Sequence, residues 1–123
     1  MKTLFIQSKL KNMLSGKLIL CSLVLLTFIA CNSIANSKTE TFKVWGNCGM
    51  CKKTIEKALD EKGIKGDWNK KTKMITVSYD SVKFTSQQVH AVICAAGYDT
   101  EACKGDDDAY KNLHECCQYE RKK

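Results

Sequence analysis

Residues 41–59 read Thr41-Phe42-Lys43-Val44-Trp45-Gly46-Asn47-Cys48-Gly49-Met50-Cys51-Lys52-Lys53-Thr54-Ile55-Glu56-Lys57-Ala58-Leu59, and this stretch decides the fold. Phe42 and Val44 alternate with Lys43 and Trp45, the period of two of a strand with one buried face. Beyond the cysteines the period changes. Ile55, Ala58 and Leu59 share one side of a helix, while Lys52, Lys53, Glu56, Lys57 and Asp60 fall elsewhere, which predicts an amphipathic helix over residues 50–62. Gly63 is its expected stop.

Residues 64–68 read as a weak second strand. The polar turn Asn69-Lys70-Lys71-Thr72 leads into residues 73–79, where Ile75, Val77 and Tyr79 share a face, so the pair is a hairpin. Thr85-Ser86-Gln87-Gln88 then matches a capping box, in which the Thr85 hydroxyl and the Gln88 amide satisfy the free N–H groups of a helix start. Val89, Val92, Ile93 and Ala96 supply that helix's apolar stripe, His90 is expected to face solvent, and Gly97 ends it. Residues 98–103 return as a last strand.

Strand, helix, strand, then strand, helix, strand is an α+β, ferredoxin-like βαββαβ sandwich, an antiparallel sheet with both helices on one side. It occupies residues 40–104, and residues 105–123 form a Cys-containing tail. In the tail, Asp106-Asp107-Asp108 suits the positive end of a short third helix, with Tyr110, Leu113 and Cys117 facing the domain. The triplet is thus a helix start, not a cation site, and the tail is a short C-terminal helical extension.

Upstream, the first thirty residues carry Lys2, Lys9, Lys11 and Lys17 and no acid, then an apolar run of thirteen residues from Leu18 to Ala30. A helix crossing a bilayer needs about 20 residues, so residues 1–30 are a secretory signal, not a membrane span. Phe28-Ile29-Ala30-Cys31 resembles a bacterial lipoprotein signal, in which Cys31 is acylated and becomes the new N-terminus. Ser33-Ile34-Ala35 offers ordinary cleavage instead, and translation from Met13 gives a more typical signal than Met1. Residues 31–39 are small and polar, suiting a tether. The expected location is the cell envelope or periplasm, anchored to the membrane through lipid.

Without residues 1–30, 93 residues remain, enough for one domain with a modest core. With the four lysines gone, the formal charge falls from +7 to +3. No basic stripe interleaved with aromatics and no phosphate-cradling glycine loop is present, so nucleic acid is not an expected partner. No nucleophile elbow, paired acid-base arrangement or His-rich zinc motif accompanies the Ser and Asp residues, so the expectation is a non-enzyme.

Of eight cysteines, Cys21 lies in the signal and Cys31 at the lipidation site, leaving Cys48, Cys51, Cys94, Cys103, Cys116 and Cys117. In an oxidising compartment six cysteines can simply be three disulfides. Cys94, beside the apolar stripe of its helix, reads as a half-buried small hydrophobe. A structural disulfide involving Cys103 or the tail pair competes with metal binding by either. The spacing at Cys48 and Cys51 points to other chemistry. Two residues between cysteines let both sulfurs turn to one point, and soft thiolates select Cu(I), Zn or similar thiophilic ions over hard cations. Cys51 falls in the first helical turn, where the helix dipole and Lys52 and Lys53 favour a thiolate, good both as ligand and as nucleophile.

Over residues 40–104 the chain resembles the heavy-metal-associated domain family of ferredoxin-like copper and mercury carriers. The likeness rests on a strand leading to a glycine and then Cys48-x-x-Cys51, the helix carrying Ile55 and Leu59, the hairpin with Ile75-Thr76-Val77, and Ala96-Gly97-Tyr98-Asp99. The resemblance implies that Cys48 and Cys51 hold one ion in an exposed loop and pass it to a similar loop on a partner, a metal-transporting ATPase or another carrier. It also implies that Tyr98 lies near the loop, as a shield or as a hydrogen-bond donor to a sulfur. Family members usually carry Gly-Met-x-Cys, whereas here Gly46-Asn47 precedes Cys48 and Met50 sits between the cysteines, making the loop one residue shorter.

Cu(I) is the expected cargo because two thiolates suffice for near-linear Cu(I), whereas Zn usually takes four ligands; Zn and Hg are the alternatives. Cys116 and Cys117, with His114 just before them, are candidate additional ligands that reach the loop or make a second site, although a solvated helix residue is the plainer reading of His114. A rival function is a thiol-disulfide oxidoreductase in which Cys48 attacks and Cys51 resolves. The chain contains no proline, so the cis-proline loop that completes a thioredoxin site is missing. A disulfide-stapled interaction domain is the third reading.

Overall fold

The computed structural model describes residues 36–121. The signal, its cleavage sites, Cys21 and Cys31 lie outside the described residues. Strand β1 (Ser37–Lys43) is followed by helix α1 (Gly49–Asp60), strands β2 (Lys65–Trp68) and β3 (Met74–Asp80), helix α2 (Ser86–Ala95), and a tail holding helix α3 (Asp107–Lys111) and a 3-10 turn (Glu115–Cys117). β1 begins at Ser37, inside the stretch read as tether.

The sheet is antiparallel in the order β1-β3-β2. Its register pairs Phe42 and Trp68 with Ile75, on either side of β3, so the alternation in the sequence becomes one apolar face. Ile55 and Leu59 of α1 and Val89 and Ile93 of α2 bury against that face together with Phe42, Val44, Ile75, Val77 and Tyr79. Burying each such side chain is worth about 1.5–3 kcal/mol. The Thr85 capping box forms as expected, with Gln88 N–H donating to Thr85 Oγ1 at 3.3 Å and Thr85 N–H to Gln88 Oε1 at 2.8 Å.

The fold is ferredoxin-like, but its last strand is reduced to a single bridge, Val44 with Thr100. The cause is local. Thr100 Oγ1 accepts the N–H groups of Ala102 and Cys103, and its own N–H donates to the Cys103 carbonyl at 2.8 Å, closing a turn where a strand would extend. Cys103 is moreover joined by a disulfide to Cys94, which ties the segment back to α2 and replaces the reading of Cys94 as a packing residue. His90 also departs from expectation. It is buried, tilted over Phe42 with ring centroids 3.8 Å apart, and its Nδ1 lies 2.8 Å from Thr100 Oγ1. Burial lowers its pKa below the ordinary histidine value.

The tail belongs to the core. Asp106 caps α3 by accepting from the Asp108 and Ala109 N–H groups, as the acidic triplet predicts. Gly97 turns at φ +93, and a Cβ there would come within 2.7 Å of the Tyr110 backbone, so only glycine lets α3 pack this closely. Tyr119 is buried, donating to the Gly97 carbonyl at 3.1 Å and accepting the Asp99 N–H at 2.7 Å. Arg121 pairs with Asp99 at 2.7 Å, their side chains 16 % and 6 % exposed.

Burial alone would raise the Asp99 pKa, but the Arg121 guanidinium and the Gly105 N–H outweigh it and hold the carboxyl below its ordinary value. Its contribution to stability is therefore complete above the ordinary Asp value of about 3.9 and is lost as pH falls through the lower folded value. Removing one partner of a buried pair strands the other charge. Arg121→Ala is expected to cost about 3 kcal/mol in urea unfolding and to shift the acid-unfolding midpoint upward; an unchanged midpoint in both measurements would show that this pair does not hold the tail.

Candidate metal centre

The loop between β1 and α1 is shaped by what lies beneath it. Trp68 is buried, its Nε1–H donates to the Val44 carbonyl at 3.1 Å, and its indole lies under Gly46, where a Cβ would come within 3.0 Å of the ring and 3.3 Å of Cys51 Cβ. A side chain at residue 46 would push the loop off its floor. In the sequence Trp68 was merely the end of a weak strand; its large apolar face immediately before the hairpin turn was the available signal.

Cys48 occupies the N-cap of α1 in extended conformation, and Cys51 is the third residue of the helix. That spacing turns both sulfurs to the same side, 3.7 Å apart. Cys51 is fully buried and its sulfur accepts the N–H groups of Asn47 at 3.3 Å and Cys48 at 3.4 Å. Cys48 is half-buried. The Cys51 backbone N–H aimed at its sulfur, joined by contacts to Cys116 and the Met50 backbone, brings the Cys48 pKa down to about 6 against the opposing effect of burial. Free N–H groups at a helix start favour an anion in this way. Lys52 turns away from the sulfurs, its Nζ engaged by Glu56 at 2.6 Å, by Asp67 and by the Trp68 carbonyl, and Lys53 is exposed.

The tail delivers more sulfur to the same point. Cys116 Sγ lies 3.3 Å and Cys117 Sγ 3.8 Å from Cys48 Sγ, with 3.9 Å between the two tail sulfurs. Cys48, Cys51 and Cys117 form a set whose sulfurs all lie within 4.8 Å of one another. All four thiols are free. Cys117 is buried and burial drives its pKa upward; Cys116 is exposed, and its pKa is raised chiefly by its contact with Cys48. His114 is exposed and lies outside the three-sulfur set; its carbonyl accepts the Cys117 N–H at 2.7 Å, which shapes the turn.

Tyr98 is fully buried beside Cys51, Cys117 and Thr54, and its ring stacks on Tyr119 at 6.0 Å. Its hydroxyl has no hydrogen-bond partner among the described residues, and burial raises its pKa. It is a floor of the sulfur cluster, with no sulfur-directed hydrogen bond. Met50 is 46 % exposed at the rim, and Trp68 lies beneath the loop instead.

A thiol with a pKa of about 6 is mostly anionic at neutral pH. In the reduced, metal-free full chain, the rate of Cys48 alkylation by iodoacetamide, followed by peptide mass spectrometry, is expected to rise with a midpoint near pH 6, against about 8.5 for an ordinary cysteine. A midpoint at the ordinary value would show that the helix-start N–H groups do not act on this sulfur.

No protein-family model matches the chain, and neither does any curated protein. Two solved structures are similar. The CopZ metallochaperone is 33 % identical, over 51 % of this chain and 98 % of that one, with a TM-score of 0.48. The "putative copper-ion-binding protein from Bacillus anthracis str. Ames" is 30 % identical, over 55 % of this chain and 100 % of that one, with a TM-score of 0.50. Taken with the antiparallel sheet, its two covering helices and the Cys48-x-x-Cys51 loop between β1 and α1, this second likeness gives the domain a heavy-metal-associated-like fold.

Proposed function

We propose that this chain is a member of the heavy-metal-associated family that binds one soft metal ion, Cu(I), through Cys48 and Cys51 and hands it to another protein by ligand exchange. The observation that carries this reading is the convergence of the two sulfurs, 3.7 Å apart at the mouth of a loop, with Cys48 half-buried and Cys51 buried on backbone N–H groups. Thiolates prefer soft ions, and the geometry presents two cysteine sulfurs in a close set that holds no oxygen ligand. Cys48 and Cys51 alone suffice for near-linear Cu(I), whereas structural zinc usually takes four protein ligands, which favours Cu(I) over Zn. Hg is compatible with the same sulfurs.

The ion is cargo and the protein performs no bond-making on other substrates. Partial exposure of Cys48 lets an acceptor's thiolate approach the ion, and the exposed Met50 together with the lysines along α1 offers a rim for an acidic partner surface, such as that of a metal-transporting ATPase or a second carrier. In this reading the protein is exported, and acylated Cys31 holds the domain at the membrane.

The lowered Cys48 pKa also suits a thiol-disulfide oxidoreductase, in which Cys48 attacks a substrate disulfide and Cys51 resolves it. Two measurements separate the readings. The reduced full chain, titrated anaerobically with Cu(I) against a chromophoric chelator, is expected to take up about one tight equivalent, and Cys48→Ser or Cys51→Ser to lose at least about a hundredfold in retention, beyond what loss of an outer-shell partner costs. Variants that compete as well as the parent would end the carrier reading. Insulin reduction is expected to stay near background, and turnover above it that disappears in Cys48→Ser would favour the redox reading.

A further inference from the structure

We propose that the bound ion is held by three sulfurs, those of Cys48, Cys51 and Cys117, and that the exposed Cys116 is the thiol through which the ion enters and leaves. This deepens the soft-metal reading and rests on it.

The separations between the sulfurs carry the first half. With metal–sulfur bonds of about 2.3 Å, two sulfurs on opposite sides of an ion stand about 4.6 Å apart, whereas three around it stand about 4.0 Å apart. Cys48 and Cys51 are 3.7 Å apart and Cys48 and Cys117 are 3.8 Å apart, with Cys51 and Cys117 also within 4.8 Å. The two spacings from Cys48 match a triangle better than a line. The third corner is also fixed in advance. Before it, Asp106 caps α3; after it, Tyr119 bonds to Gly97 and Asp99, and Arg121 to Asp99. Cys117 therefore reaches the loop without ordering a free tail, and a ligand already in place binds without that entropic cost.

A second triangle carries the other half. Cys116 lies 3.3 Å from Cys48 and 3.9 Å from Cys117, so it shares the Cys48–Cys117 edge. Cys51, at the inner corner, is fully buried, and Cys116, at the outer corner, is exposed. An ion crossing the shared edge breaks its bond to Cys51 and forms one to Cys116 while its bonds to Cys48 and Cys117 persist. No electron moves. Cys116 releases its thiol proton to solvent and Cys51 takes one up, so charge balances, and the ion then stands at the surface within reach of an acceptor thiolate.

The test uses the full chain carrying Cys21→Ser and Cys31→Ser, which leaves four thiols outside the disulfide. Loaded anaerobically with one equivalent of Cu(I), it is expected to show three sulfurs around copper by X-ray absorption; two would overturn the inference while leaving the carrier intact. Cys117→Ser is expected to show two sulfurs and at least about tenfold weaker retention against a chelator. Cys116→Ser is expected to keep three sulfurs around copper but to release it to the chelator about tenfold more slowly. Three sulfurs in Cys117→Ser, two in Cys116→Ser, or an unchanged release rate in Cys116→Ser would each overturn it. If Cys117→Ser fails to fold, the Cys116→Ser spectrum decides, since Cys117 is then the remaining candidate for a third sulfur. A parent that takes up no Cu(I) at all sinks the soft-metal reading itself, a result distinct from copper bound by two sulfurs.

Discussion

A buried carboxylate has to be answered, and the answer to Asp99 organises this molecule. Its side chain is nearly inaccessible, and it takes the Gly105 N–H at 2.7 Å and the Arg121 guanidinium at 2.7 Å. Asp99 follows α2, Gly105 leads into the tail, and Arg121 lies beyond the last turn, so one charge draws together three parts of the chain. Buried pairs of this kind return little net stability, because desolvation offsets most of the attraction. Their effect here is positional. With Arg121 and Tyr119 fastened at one end and the Asp106-capped α3 at the other, the turn between them sets Cys116 and Cys117 against the Cys48 loop.

Much of the sandwich was legible because its causes are local. The alternation of Phe42 and Val44, the stripe of Ile55 and Leu59, the Thr85 capping box and the Asp106 helix start each depend on a few neighbouring residues, and each forms. The Cys48-x-x-Cys51 loop was legible for the same reason. The misread features depend on distant partners or competing turns. Residues 98–103 have strand-like length, but Thr100 closes a turn and the Cys94–Cys103 disulfide holds it. His90 lies beside the apolar stripe and looked solvent-facing until Phe42, from β1, and Thr100 closed over it. Sulfurs 69 residues apart carry no spacing signal, so the meeting of Cys48 and Cys117 was open in the sequence.

The cysteines divide by environment. Cys94 and Cys103 are paired at the end of α2, whereas the four cysteines around the loop are free, from Cys51, buried on backbone N–H groups, to the exposed Cys116. That division suits the proposed carrier, in which the cargo would be held by reduced sulfur. A bound soft ion would occupy the thiolates that an oxidising compartment would otherwise join, so cargo and redox state are linked at this site.

The most direct test of the carrier account is anomalous diffraction at the copper edge from crystals of the Cu(I)-loaded protein. The account predicts one strong peak within bonding distance of both Cys48 Sγ and Cys51 Sγ, above the buried ring of Tyr98. A peak elsewhere, or Cys48 and Cys51 joined to each other with no metal between, would contradict it.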